Sequence, residues 1–217
     1  MALRKYLAET IGTFALVFCG TGAIVIDQET GGTIGHLGIA LTFGLIVAAM
    51  IFALSDVSGA HMNPAVTLSF ALAKRFEWKQ VLPYVLAQMA GAFIASGLLK
   101  ISFPNNTSLG LTQPAGSEWQ SFTFELILTF LLVMVIFNVS RGAKEKGITS
   151  AIAIGGMVGL EALFAGPVCG ASMNPVRSLS PAILANHTDH LWIYLLAPTA
   201  GAVLGVYAHQ LLYTKEK

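Results

Sequence analysis

The sequence predicts an all-α membrane protein of six transmembrane helices and two half-helices, arranged as an inverted 3+3 repeat. Three observations carry this. Of 217 residues, 11% are charged and 55% hydrophobic, whereas soluble domains carry about 25% charged residues. Six windows reach the length of about 20 apolar residues that a bilayer crossing needs. A twelve-residue segment also recurs 111 positions further on with seven identities.

The crossings are expected at residues 6–26, 35–55, 81–103, 119–140, 148–166 and 191–213. The first begins after the basic pair Arg4-Lys5 and resembles a signal peptide. Glu9 and Thr10 interrupt its apolar run, no small-residue cleavage site follows, and its loss would leave five crossings. It therefore counts as a span. Pro64–Ala73 and Pro175–Ala185 are apolar but too short to cross. At about 1.5 Å per residue each covers about 15 Å, half of a hydrocarbon core of about 30 Å. Entering from opposite faces and meeting at the midplane, the two together act as a seventh crossing. The whole chain, 1–217, reads as one membrane domain, with repeat one at about 1–110 and repeat two at about 111–217.

Ser58 to Ser69 aligns with Cys169 to Ser180. Glu9 corresponds to Glu125, and Gln88-x-x-Gly91-Ala92 to Pro198-x-x-Gly201-Ala202. With three spans in each half, equivalent segments run in opposite directions, and the working site of such a fold lies near the midplane. Orientation follows from the loops. Arg4, Lys5, Lys74, Arg75, Lys79, Arg141, Lys144, Lys146, Lys215 and Lys217 fall on one side. The positive-inside rule then makes both termini cytoplasmic. Asn-x-Ser/Thr triplets at Asn105, Asn106 and Asn186 lie in the outer loops. Such triplets are frequent by chance and receive no functional weight.

The chemistry concentrates at Asn63-Pro64-Ala65 and Asn174-Pro175-Val176. Asparagine is a preferred N-cap and proline a preferred first helical residue. A capping asparagine spends its oxygen on helix N–H groups, so its amide hydrogens are expected to face the lumen. Each half-helix also aims roughly half a positive charge at the midplane, which favours oxygen acceptors and repels cations, hydronium included. Irregular backbone at membrane depth is tolerated where it lines a cavity. Gly59, Ala60 and His61, and Gly170, Ala171 and Ser172, are therefore expected to present a ladder of carbonyl acceptors.

These segments resemble the two motifs of the major intrinsic proteins, the aquaporin and glycerol-facilitator family. Ser58-Gly-Ala-His-Met-Asn-Pro-Ala-Val-Thr67 is similar to the first motif and Gly170-Ala-Ser-Met-Asn-Pro-Val-Arg177 to the second. Val176 departs from the usual alanine. The resemblance covers essentially the whole chain. It implies a right-handed six-helix bundle with one pore per subunit, usually assembled as homotetramers in the cell membrane. By spacing from the two asparagines, the family's four-residue filter falls on Phe43, Ala162, Ala171 and Arg177. Ala162 stands where strict water channels commonly carry histidine, and Leu195 where they carry tryptophan. Ser178 stands where glycerol facilitators usually carry aspartate. The pattern is closest to members passing both water and small uncharged solutes.

A carboxylate inside a span costs about 2.5 to 3.5 kcal/mol on insertion scales and needs partners. The resemblance implies that Glu9 and Glu125 accept backbone N–H groups from the half-helix loops. Glu161 is expected to brace a loop, with pairing to Arg177 or gating as alternatives. His61 is expected to orient its loop rather than sense pH. Cys19 and Cys169 read as packing residues, with Cys169 near enough to the outer vestibule for thiol reagents to block flow. Gly97, Gly201 and Gly205 read as helix-packing positions.

The expected function is a passive channel for water and for glycerol or similar small neutral solutes, excluding protons and ions, with the lipid bilayer as surroundings. An ion-coupled carrier would need coupling-ion ligands, and Glu161 is the one lumenal carboxylate on offer. A membrane enzyme would need a nucleophile–base set, and none is spelled out. Twelve scattered basic residues form no nucleic-acid stripe. No cofactor and no metal site is expected.

Overall fold

The computed structural model describes residues 2–140 and 148–213. Arg141, Lys144, Lys146, Lys215 and Lys217, half of the basic residues used above for orientation, lie outside the described residues. Among the described residues eight helices follow in order: α1 Ala2–Glu29, α2 Gly35–Ser58, α3 Pro64–Leu72, α4 Trp78–Ser102, α5 Glu118–Val139, α6 Ile148–Cys169, α7 Pro175–Ala185 and α8 Leu191–Tyr213. Six are long and apolar enough to cross a membrane. The other two, α3 and α7, are the half-helices.

Several spans run about a turn beyond their expected ends. The sequence window for α1 ends at 26, yet the helix continues to Glu29. Asp27 on that last turn accepts the N–H groups of Ile34 and Gly35 at 2.9 and 2.7 Å and so opens α2. The window for α6 ends at 166, whereas the helix passes through Pro167 to Cys169. Ser117 caps α5 by accepting the N–H of Gln120 at 3.1 Å.

The two halves pack alike: α1 against α4 and α5 against α8, with α2 and α6 joined along the centre. Each pair is brought close by a glycine. A Cβ on Gly91 would run into the Thr10 carbonyl, and one on Gly201 into that of Leu126. At the central crossing a Cβ on Gly44 would lie 2.7 Å from the Gly155 carbonyl. Of the packing glycines expected from sequence, Gly201 and Gly205 make close approaches, whereas Gly97 faces open space with nothing within 4 Å. Its expected packing role is corrected. The seam uses Gly44 and Gly155 instead, small residues that let backbones approach as in other membrane bundles.

The outward surface of the bundle carries the large apolar side chains, such as Leu45 at 67% exposure and Ile152 at 65%, while Glu9, Glu125, Gln88 and Ser178 are fully enclosed. This inversion of the soluble pattern is what a hydrocarbon solvent requires.

Candidate functional site

Helices α3 and α7 span nine and eleven residues. At about 1.5 Å per residue they cover about 30 Å between them, the thickness of the hydrocarbon core. Each starts on Asn-Pro. Asn63 accepts the N–H of Ala65 at 2.9 Å and Asn174 that of Val176 at 3.2 Å, both through the side-chain oxygen.

The side-chain amides cross over. Asn63 Nδ2 donates to the Met173 carbonyl at 2.7 Å, and Asn174 Nδ2 donates to the Met62 carbonyl at 2.9 Å. An amide nitrogen carries two hydrogens. The expectation that both would face the lumen is therefore corrected: one from each asparagine ties the halves together and one remains. Both asparagines line a cavity of about 570 Å3.

The loops before the asparagines each hold three residues in the left-handed region. Gly59, Ala60 and Met62 have φ of 89, 49 and 50°, and their repeat partners Gly170, Ala171 and Met173 have 85, 42 and 52°. Left-handed conformations at non-glycine residues are uncommon and need surrounding structure to hold them. Glu9 supplies it in the first half, accepting N–H groups of His61 at 2.9 Å and Met62 at 2.7 Å. Glu125 does the same for Ser172 at 2.7 Å and Met173 at 2.8 Å. Charge-assisted bonds of this kind contribute about 1.5 to 3 kcal/mol each.

Two tyrosines complete the fastening. Tyr84 Oη donates to the Ser58 carbonyl at 2.9 Å and Tyr194 Oη to that of Cys169 at 2.8 Å. Sequence reading passed over both, although they stand 110 residues apart in a repeat already recognised. Gln88, part of the repeat, also takes a place in the fastening. Its Nε2 lies 2.8 Å from Glu9 and 2.9 Å from Thr67 Oγ1.

His61 stacks on Phe70 with ring centres 4.7 Å apart, and its Nδ1 lies 3.2 Å from Thr67 Oγ1. That fixes the ring. Gly59, Ala60, His61, Ala171 and Ser172 line the cavity, and Gly170 does not. Instead Gly170 lies under Thr112, whose Cγ2 would sit 2.8 Å from a Cβ placed there.

Of the four filter positions, Phe43, Ala171 and Arg177 line the cavity. Ala162, a methyl only, belongs to the apolar cluster that contains Ala165 and Cys169. The Arg177 guanidinium stands 5.1 Å over the Phe43 ring, and its Nη1 donates to the Gly110 carbonyl at 2.8 Å. Gly110 carries no sequence signal for this task, because what it offers is a backbone oxygen.

Two expectations are overturned. Glu161 was to brace a loop, yet it is fully enclosed and neither carboxyl oxygen has a hydrogen-bond partner among the described residues. Cys169 was to be reachable from the outer vestibule. It is fully enclosed, off the cavity wall, and its Sγ points at the Ala165 carbonyl 3.5 Å away. Helix α6 runs to this residue, so its side chain packs as a helical one does. Asn106 of the outer triplets has its own work. Its amide nitrogen reaches Gln28 and Glu29 at 3.1 and 3.0 Å, and its oxygen takes the Leu109 N–H at 2.8 Å.

Six spans, two half-helices meeting nose to nose and a cavity running along their junction define a multi-pass membrane channel. The chain belongs to the Major intrinsic protein family, which it matches over residues 1–209. It is a channel of that family and not an enzyme. Aquaporin NIP1-1 of Oryza sativa subsp. japonica is 43% identical over 211 residues, 97% of this chain and 74% of that one. Nodulin-26 of Glycine max is 40% identical over 216 residues, 99% of this chain and 80% of that one. The crystal structure of the aquaglyceroporin from Plasmodium falciparum superposes with a TM-score of 0.88 at 26% identity and 98% coverage of both chains.

Proposed function

We propose that the chain passes water and glycerol-sized uncharged solutes down their own gradients while excluding protons and ions. The observation that carries this is the pair of amide hydrogens left on Asn63 and Asn174, at the junction of two half-helix N-termini, in a cavity whose wall also carries an apolar face. That face includes Leu16, Val47, Ile51, Leu132 and Ile136, while Lys5, Asp56 and Arg75 also stand on the wall. A solute oxygen accepts from the asparagines while its carbon atoms rest on the apolar face. The convergent helix ends favour the oxygen and raise the energy of a cation at the same point.

Phe43, Ala162, Ala171 and Arg177 form the filter in this reading. The guanidinium offers hydrogen bonds to hydroxyl groups, and the ring and the methyls leave room for a carbon backbone. The carbonyls of Gly59, Ala60, His61 and Ser172 guide the solute onward, and Glu9 and Glu125 support their loops. Pro64, Ala65, Pro175 and Val176 start and pack the half-helices. The names of the relatives, aquaporins and an aquaglyceroporin, support both classes of permeant. The working unit is a homotetramer in the cell membrane with both termini cytoplasmic, the orientation supported by the basic loops.

Light scattering on proteoliposomes tests this. The parent should accelerate both osmotic shrinkage and re-swelling in glycerol, with no dependence on an ion gradient. Asn174→Asp keeps the cap oxygen but loses both amide hydrogens, and should slow both processes. Ala162→His should suppress glycerol and spare water. Acceleration of neither process by the parent, or loss of flow on dissipating an ion gradient, would sink the reading.

A further inference from the structure

We infer that Thr112 is a positioning residue for the filter cation, acting through a relay of three buried hydroxyls. The inference rests on the channel reading above for its transport test alone. Among the described residues Arg177 makes one hydrogen bond to protein, to the Gly110 carbonyl, and its Nε has none. The guanidinium therefore stands where that carbonyl stands. Gly110 belongs to the connection between α4 and α5, a stretch without regular structure from 103 to 117. What holds this connection decides the aperture.

One side is held by contact. Gly110 has φ of 69°, and a Cβ there would lie 2.8 Å from the Thr21 carbonyl of α1. Before Gly110, Asn106 takes the Leu109 N–H and ties the stretch to Gln28 and Glu29; after it, the hold toward α7 is Thr112, two residues on. Its Oγ1 donates to Ser178 Oγ at 2.8 Å. Ser178 and Ser172 hydroxyls are 2.6 Å apart, and Ser172 Oγ donates to the Asn174 carbonyl at 2.9 Å. Each hydroxyl has a single proton, so the direction is fixed from the end of the chain. Ser172 gives its proton to Asn174, Ser178 gives to Ser172, and Thr112 gives to Ser178. All three are buried.

The relay thus runs from the outer connection, through the first turn of α7, to the backbone of the pore asparagine. Thr112 is also the residue lying on Gly170, so the strap sits on the pore loop itself. A Val at 112 keeps that shape and removes the donor. Gly110 and Arg177 then lose the anchor that ties the connection to α7, while the bonds of Asn106 and Ser108 to the end of α1 remain.

The test uses the full chain in nanodiscs labelled with 15N-arginine, which is simple because it holds four arginines: Arg4, Arg75, Arg141 and Arg177. In Thr112→Val, hydrogen exchange at the Arg177 guanidinium should quicken by about fivefold, the change that loss of one neutral hydrogen bond produces. The glycerol-to-water permeability ratio should rise by a similar factor. Thr112→Ser restores the donor and should return both readouts to parental values. Ser178→Ala breaks the next link without touching residue 112 and should reproduce Thr112→Val, which keeps the test decisive if that variant misfolds. Unchanged Arg177 exchange in both breaking variants would overturn the inference, as would failure of serine to rescue. A parent that passes neither solute refutes the channel reading, and the exchange measurement still decides the relay.

Discussion

Deleting the Glu125 carboxylate should unfasten the second pore loop and slow permeation. Two backbone N–H groups, of Ser172 and Met173, rest on it at 2.7 and 2.8 Å, and the residue is fully enclosed. In Glu125→Ala both donors lose their protein acceptor, and two charge-assisted bonds amount to about 3 to 6 kcal/mol. For a chain of this length about 1 kcal/mol moves Tm by about 2 to 4 °C, so the variant should melt roughly 6 to 24 °C lower. Permeation falls with it, because Met173 also supplies the carbonyl that holds Asn63 Nδ2 at 2.7 Å. Glu125→Gln keeps one acceptor oxygen and should lose about half as much. The assay pairs thermal unfolding of purified protein with stopped-flow shrinkage of proteoliposomes. An alanine variant that melts within about 2 °C of the parent and conducts at the parental rate would refute the claim that Glu125 carries the loop.

The symmetry of the fastenings makes a second prediction. Tyr84→Phe and Tyr194→Phe each remove one hydroxyl from a loop carbonyl; each should cost about 1 kcal/mol in unfolding, and the double variant the sum, since the sites share no partner. Gly20→Ala would drive a methyl into the Phe43 ring, where Cζ would lie 2.6 Å away. The ring must turn under Arg177, and the glycerol-to-water ratio should change while the half-helix caps are untouched; an unchanged ratio would remove Phe43 from the filter. Mercurial treatment of a Cys19→Ser protein should leave flow intact, because Cys169 is enclosed; inhibition abolished by Cys169→Ser would show the thiol to be reachable.

The architecture was legible because membrane solvent writes itself into the sequence. Length of apolar run gives the spans, and a repeat in two helix-start signals gives the half-helices and their opposed directions. The asparagine caps were legible for the same reason, since Asn-Pro has a local preference with a mechanism. What escaped is tertiary. That Asn63 and Asn174 each spend a hydrogen on the other half's methionine carbonyl follows from how close the loops come, and no residue type signals closeness between backbones. Gly110 and Thr112 escaped because their value lies in a carbonyl oxygen and in a short hydroxyl distance. Glu161 misled because a carboxylate beside a filter position reads as functional, whereas its neighbours in space offer it no donor among the described residues.

The departures from symmetry are where selectivity resides. Glu9 and Glu125, Tyr84 and Tyr194, and the two asparagine caps do the same work at opposite ends, so the scaffold alone has no preferred filter end. Repeat partners diverge at five of the twelve positions, and three of these carry hydrogen-bonding or charge differences at the pore. Arg177 stands where the first half has Val66, Ser172 where it has His61, and Ser178 where it has Thr67. In the first half Thr67 Oγ1 meets the His61 ring and Gln88, and Val66 is an apolar part of the cavity wall. In the second half the hydroxyls of Ser172 and Ser178 pass a proton-donor chain to the outer connection, and Arg177 takes that connection's carbonyl. A cation at the start of a half-helix opposes the helix dipole and is costly on its own. It is tolerable at the one end where a connection folds back to supply an oxygen, and the hydroxyl relay is what keeps that connection in place. The filter is thus a property of one half's substitutions acting on a scaffold shared by both. Transplanting arginine to Val66 without an equivalent connection should destabilise the protein rather than create a second filter, and unfolding temperature of Val66→Arg is the measurement that checks it.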